Sequence, residues 1–235
     1  MKTQMKRRNQ HYEEYYQCVN LDKREYIHPG DFDISPLPFD LMLRWNRFLN
    51  ALYELFELRW GGDDVIFLSN EKDYHSISNK RIQEKLIENG GFYMAEDGNM
   101  YWNDSSYHNI SGSFWDADEN QAIEEDNGDL TLLYAFGIYE PGEPVWDQYL
   151  REGKVFEYTV NHTKQEFYSL SDIDCMSFEG IAGNRKYLDP LPFLLGCGDV
   201  IRCSKILPEE SYGSWIGDDI HGMNAVPAGY RLIRK

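Results

Sequence analysis

Two Gly-Asp-Asp triplets are the strongest chemical candidates in the sequence. Gly62-Asp63-Asp64 and Gly217-Asp218-Asp219 each stand just after a Trp and just before an apolar residue. Acids at the head of a strand, with Glu25 or Glu166 nearby, could hold Mg2+ or Ca2+ through oxygen ligands and serve a metal-dependent hydrolase or nucleotide-processing enzyme. Adjacent strand residues point to opposite faces, so only one carboxylate of each pair can face a shared site. The competing use is structural, because Gly-Asp turns commonly hold their own backbone. None of the six histidines has the HxH or HExxH spacing that brings two imidazoles to one metal. His221 follows Asp218-Asp219 closely and His28 lies near Glu25, which leaves an acid–base pair open in the fold. No Ser stands in GxSxG; Cys197, between two glycines, reads as a flexible and exposed thiol. Gly61-Gly62 is neither GxGxxG nor a Walker sequence, so no nucleotide loop and no cofactor are expected.

A contact surface is the other candidate. Tyr101-Trp102-Asn103-Asp104 and Phe114-Trp115-Asp116 interleave large rigid rings with acids, a pattern that anchors and steers a basic partner. The bland alternative is a twisted sheet with those rings buried. Bulk charge favours contact with cations. The chain has 23 Lys and Arg against 40 Asp and Glu, net −17. Residues 1–11 hold Lys2, Lys6, Arg7 and Arg8 without an acid, so the remainder carries 19 bases against 40 acids, a net of −21. Such a surface repels nucleic acid and anionic membranes and speeds encounter with a basic protein. No apolar run reaches the ~18 residues of a membrane span, and none follows the basic N-terminus as a secretory signal would require. Four cysteines without CxxC spacing then read as reduced thiols of a cytoplasmic protein.

The elements that must position these residues come in two copies. Val19-Asn20-Leu21-Asp22-Lys23-Arg24-Glu25-Tyr26 recurs as Val160-Asn161-His162-Thr163-Lys164-Gln165-Glu166-Phe167. Pro36-Leu37-Pro38-Phe39 recurs at Pro190–Phe193, and Trp60-Gly61-Gly62-Asp63-Asp64-Val65 at Trp215–Ile220, in the same order. The first block has the pattern of a β-hairpin, Tyr15–Val19 turning into Glu25–Ile27. After the proline block, Leu41, Trp45, Phe48, Leu49, Leu52, Tyr53 and Phe56 recur at helical spacing, which predicts an amphipathic helix of about four turns with Arg44, Arg47 and Glu54 facing solvent. Val65–Leu68 reads as a buried strand and Ser78–Asn89 as a helix stopped by Gly90-Gly91. In the second copy Gly196-Cys197-Gly198 interrupts any such helix, and Val200-Ile201 reads as strand.

The predicted organisation is therefore α+β, two diverged hairpin–helix–strand modules around a central β-rich insertion. Its parts are a basic arm over 1–11, a first module over 12–90, an aromatic and acidic connector over 91–153, and a second module over 154–235. Within the connector, Phe92–Met94 and Met100–Trp102 read as a hairpin around Asp97-Gly98. Asp116–Asp129 reads as a solvated acidic loop, Leu130–Tyr139 as strand and Trp146–Leu150 as a helical turn.

The stretch from Tyr15 to Pro29, with its Val-Asn-Leu-Asp-Lys-Arg-Glu core, resembles the opening of a group of small bacterial proteins of uncharacterised function. The likeness covers about residues 15–90 and extends to Trp60–Ile66 and Tyr74–Asn79. It implies a bacterial or phage origin and carries no activity. The Gly-rich, Lys-containing stretch that usually follows the His-Pro in that group is missing after His28-Pro29. The leading expectation is an inert acidic protein that sequesters or inhibits a basic partner, as an immunity or anti-defence protein does. Behind it stand the hydrolase and, third, a protein that sequesters a small ligand between its two modules.

Overall fold

A computed structural model describes residues 15–44, 46–69, 77, 79–96, 98–114, 156–170, 178–179, 185–186, 188–197, 203 and 207–234. The fold is α+β. The first hairpin, β1 (Tyr16–Asn20) and β2 (Glu25–Ile27), is joined by β3 (Val65–Ser69) beside β1 and by the short β6 (His108–Asn109) beside β2. Between β3 and β6 the chain forms a separate hairpin, β4 (Phe92–Met94) with β5 (Met100–Trp102), as its alternation and Gly98 predict. In the second half, β7 (Tyr158–Asn161), β8 (Glu166–Ser169), β11 (Ile220–Met223) and β12 (Arg231–Leu232) make another four-stranded sheet. A minor pair, β9 (Phe178–Glu179) and β10 (Arg185–Lys186), stands apart.

The two large sheets have the same order and sense. Each hairpin is antiparallel, a third strand pairs antiparallel on one side, and a fourth pairs parallel on the other. Register agrees as well. Val19 faces Tyr26 as Val160 faces Phe167, Asn20 faces Val65 as Asn161 faces Ile220, and Glu25 faces His108 as Glu166 faces Arg231. Even the hairpin turns match, with Arg24 at φ 55° and Gln165 at φ 56°, a left-handed conformation uncommon outside glycine. Because β6 lies in the 91–153 segment, the first sheet draws its fourth strand from beyond residue 90.

The helical segment departs from the continuous four-turn helix of the sequence pattern. A short turn of helix, α1 (Pro38–Leu41), stops, and α2 (Arg47–Leu58) starts anew. Asn46 makes the break. Its Oδ1 accepts from Leu49 N at 2.7 Å, and its Nδ2 donates to Leu43 O at 2.7 Å, so one side chain serves the ends of both helices. Trp45 lies outside the described residues. The expected solvent face is also corrected: every residue from Phe48 to Phe56 is at most 7% exposed, Glu54 and Asn50 included. The cause is tertiary. One core cluster takes Phe48, Leu52 and Phe56 from α2, Phe67 from the first sheet, and Tyr168, Trp215 and Ile220 from the second half, so α2 is walled by both halves.

A second, smaller core lies on the other face of the first sheet. There α3 (Lys80–Glu88), capped by Asn79, lays Ile82 and Leu86 over Val19, Leu21, Ile66 and Leu68. After the second proline block, α4 (Leu191–Leu194) is only four residues long. Val200-Ile201, Asp116–Asp129, Leu130–Tyr139 and Trp146–Leu150 lie outside the described residues. Cys197 is fully buried, which overturns its reading as an exposed thiol; its amide bonds Pro192 O at 2.7 Å.

Candidate functional site

The two Gly-Asp-Asp turns are built alike. In the first, Asn20 is fully buried, its Oδ1 accepts from Lys23 N at 2.9 Å, and its Nδ2 donates to Asp63 Oδ2 at 2.8 Å. The Lys23 ammonium pairs with the same carboxylate. In the second, Asn161 accepts from Lys164 N at 2.9 Å and donates to Asp218 Oδ2 at 2.7 Å, with Lys164 Nζ 3.0 Å from that oxygen. Each Asp therefore ties the strand-heading turn to the hairpin turn beside it. Glu25 accepts from Trp60 Nε1 at 3.0 Å and pairs with Arg59; Glu166 accepts from Trp215 Nε1 at 3.3 Å and pairs with Arg231. The Glu25–His28 pair left open as acid and base does not form: the His28 ring instead accepts Gly30 N at 3.1 Å.

Asp64 turns away from Asp63, as strand alternation requires. Arg81 grips it with two bonds of 2.6 Å, and Lys85 adds a third at 2.7 Å. Lys85 also pairs with Asp22, whose Oδ2 accepts Asp64 N at 2.7 Å. Burial pushes the Asp22 carboxyl up, but the Asp64 amide and Lys85 outweigh it and hold the group below its ordinary range. The equivalent carboxylate, Asp219, meets His221 Nε2 at 3.0 Å. Beside it, the His162 ring stands edge-on to His221 at 5.1 Å and bonds Tyr230 Oη at 2.9 Å. His162 and His221 occupy the places of Leu21 and Ile66, which α3 buries in the first half. The two turns also touch. A Cβ on Gly217 would collide with Asp64 Oδ1, and one on Gly61 would lie 3.5 Å from Asp219 Oδ1. Among the described residues, no group of three His, Cys, Asp or Glu side chains is placed to hold a metal ion.

A buried polar network, unforeseen in the sequence, joins the halves. Tyr53 Oη, on α2, reaches Thr159 Oγ1 at 2.8 Å and Tyr168 Oη at 3.0 Å, and donates to Asp189 Oδ2 at 2.9 Å. Tyr168 Oη and Leu191 N donate to Asp189 Oδ1 at 2.6 and 2.9 Å. Burial lifts the Asp189 carboxyl above its ordinary range despite these donors, and burial beside Asp189 pushes both phenols well up.

Two open clefts are lined by described residues. One, about 360 Å3, is lined by Lys164, Glu166 and Arg231, charges already paired within the chain. The other, about 390 Å3, is lined by Tyr15, Tyr16, His28, Tyr93, Trp102 and Asp104. The strand period of two sends Phe92 and Trp102 toward the second core and Tyr93 and Tyr101 to the opposite face of the hairpin, their rings 6.3 Å apart. Asn103 caps the turn that carries Asp104, accepting Ser105 N at 3.2 Å. Of the expected contact residues, Asp104 is exposed and Tyr101 half-buried, but Trp102 and Phe114 are core residues at 7% and 1% exposure, and Phe114 packs edge-on against Phe32. Trp115 and Asp116 lie outside the described residues. The repeated Asn and Lys at matching offsets from each Asp were the signal for the clamps; Tyr15, Tyr93 and the Tyr53–Asp189 network leave no such trace. No family model, curated protein or solved structure matches this chain.

Proposed function

We propose that this chain is an acidic partner-binding protein that sequesters or inhibits a basic or nucleic-acid-processing protein, in the manner of an immunity or anti-defence protein. One contrast carries the reading. The carboxylates of the Gly-Asp-Asp turns, with Glu25 and Glu166, are held by cations, amides, indoles or an imidazole of the chain itself, whereas the Asp104 carboxylate stands in an aromatic cleft with no hydrogen-bond or ion-pair partner among the described residues. The net charge of −17 adds long-range attraction for a cationic surface. A cytoplasmic setting accords with the buried, reduced cysteines Cys18, Cys197 and Cys203. An affinity pull-down from the native host at low and at about 0.5 M salt tests it. A stoichiometric basic partner, weakened by salt, is the expected result; no partner at either salt would sink the proposal.

The Asp219–His221 pair, with His162 and Tyr230 alongside, favours a second reading as an acid–base enzyme. His221→Ala separates the two: an enzyme would lose turnover on a hydrolase substrate panel, and a binding protein would hold its partner unchanged.

A further inference from the structure

The geometry points to the Tyr15–Tyr93–Asp104 cleft as a receptor for an arginine side chain presented by a basic protein segment, with Asp104 as its counter-ion. This inference rests on the partner-binding reading and adds to it where the contact is made and what is recognised. Three observations converge on it. First, the cleft is large enough, at about 390 Å3, to admit a long side chain together with part of its backbone. Second, its lining includes exposed aromatic rings: Tyr15 is 42% exposed and Tyr93 50% exposed. A guanidinium is planar, weakly hydrated and attracted to the face of a phenol ring, which suits it better to this lining than a compact, strongly hydrated ammonium.

Third, acidic charge stands nearby. Besides burial, the charges of Asp104 and Asp31 hold the neighbouring Tyr26 phenol above its ordinary range. Among the described residues no Lys or Arg lines the cleft, and the His28 Nδ1 accepts the Gly30 amide. The floor is firm. Trp102 is 93% buried beneath, its ring 4.8 Å from Tyr107, and the hairpin and capped turn that hold Tyr93 and Asp104 are tied together by Asn103 N bonding Gly91 O at 2.8 Å. A preformed site gives up less ordering entropy on binding.

The test uses the full chain and fluorescently labelled nona-arginine and nona-lysine peptides, with affinity read by anisotropy at low salt. Wild type should bind nona-arginine several-fold more tightly than nona-lysine. Asp104→Asn should weaken nona-arginine by about tenfold, and Tyr93→Ala by a similar factor with loss of the preference for arginine. Glu209→Gln, which removes one exposed acid away from the cleft, should change affinity less than twofold. Tyr93→Phe keeps the ring and should bind as wild type, which guards against a folding artefact in the alanine variant. Equal weakening by Asp104→Asn and Glu209→Gln would overturn the cleft in favour of a diffuse field, as would equal binding of the two peptides by wild type. The two readings fail separately: a captured partner that binds Asp104→Asn undiminished removes the cleft alone. Asp104-dependent arginine binding with no partner captured removes sequestration alone.

Discussion

Asp189, Tyr53 and Tyr168 show how much a few polar atoms decide in a dry interior. Tyr53 Oη has three side-chain partners, and all four residues of the network are buried. Tyr53→Phe should destabilise the fold by about 1–3 kcal/mol, because it leaves Asp189 one donor short where water cannot replace it; urea unfolding measures this. Asp63→Ala and Asp218→Ala should each cost about as much, since each strands the amide of a fully buried Asn, and Mg2+ should leave the wild-type melting temperature unchanged. A metal-dependent rise in melting temperature, lost in either variant, would restore the hydrolase reading. Cys18 is the opposite case: burial pushes its thiol well above the ordinary range, so it serves as a small apolar residue of the core. The Asp clamps were legible, because Asn, Lys and Asp repeat together. The Tyr53–Asp189 network was not, because its members lie 136 positions apart and each alone reads as an ordinary Tyr or Asp.

At the scale of elements, the two Gly-Asp-Asp turns give a paired experiment. Gly62 has φ +76° and open space where a Cβ would stand, so Gly62→Ala bears only the left-handed backbone penalty of about 1–2 kcal/mol. Gly217 has φ +80° and would also drive its Cβ into the Asp64 carboxylate that Arg81 holds. Gly217→Ala should therefore be clearly the more destabilising of the two in parallel urea titrations; equal losses would mean that the turns do not pack together. Strand and hairpin boundaries followed the alternation in the sequence to within a residue or two, as for β1 and β2. The helix did not, because apolar spacing runs straight through residues 42–46 while Asn46 caps both sides of a break.

Across the whole molecule, two carboxyl groups pull stability in opposite directions with pH. Asp22 has a lowered folded pKa, so its contribution is present above the unfolded value of about 3.9 and is lost as pH falls through the folded one. Asp189 has a raised folded pKa, so its contribution is present below about 3.9 and is lost as pH rises through the folded one. Between about pH 4 and that raised value, wild-type stability should climb less steeply with pH than that of Asp189→Asn. Unfolding free energies measured across a pH series give the two slopes, and identical slopes would show that Asp189 titrates normally. The two sheets match in order, sense and register, but their coverings differ. In the first, α3 buries Leu21 and Ile66; in the second, the same places hold His162 and the half-buried His221.

Taken by itself, the sequence determined the α+β class, the repeated hairpins and the strand-heading Gly-Asp-Asp turns, because each of these is written in local spacing and turn chemistry. Tertiary structure alone decided which acids are engaged and which stand unpaired. It buried Glu54, Trp102 and Phe114 and set Asp104 in a cleft shared with the exposed Tyr15 and Tyr93. The physical reason is that burial and charge pairing depend on neighbours brought from tens to more than a hundred residues away, and no short window of sequence contains them.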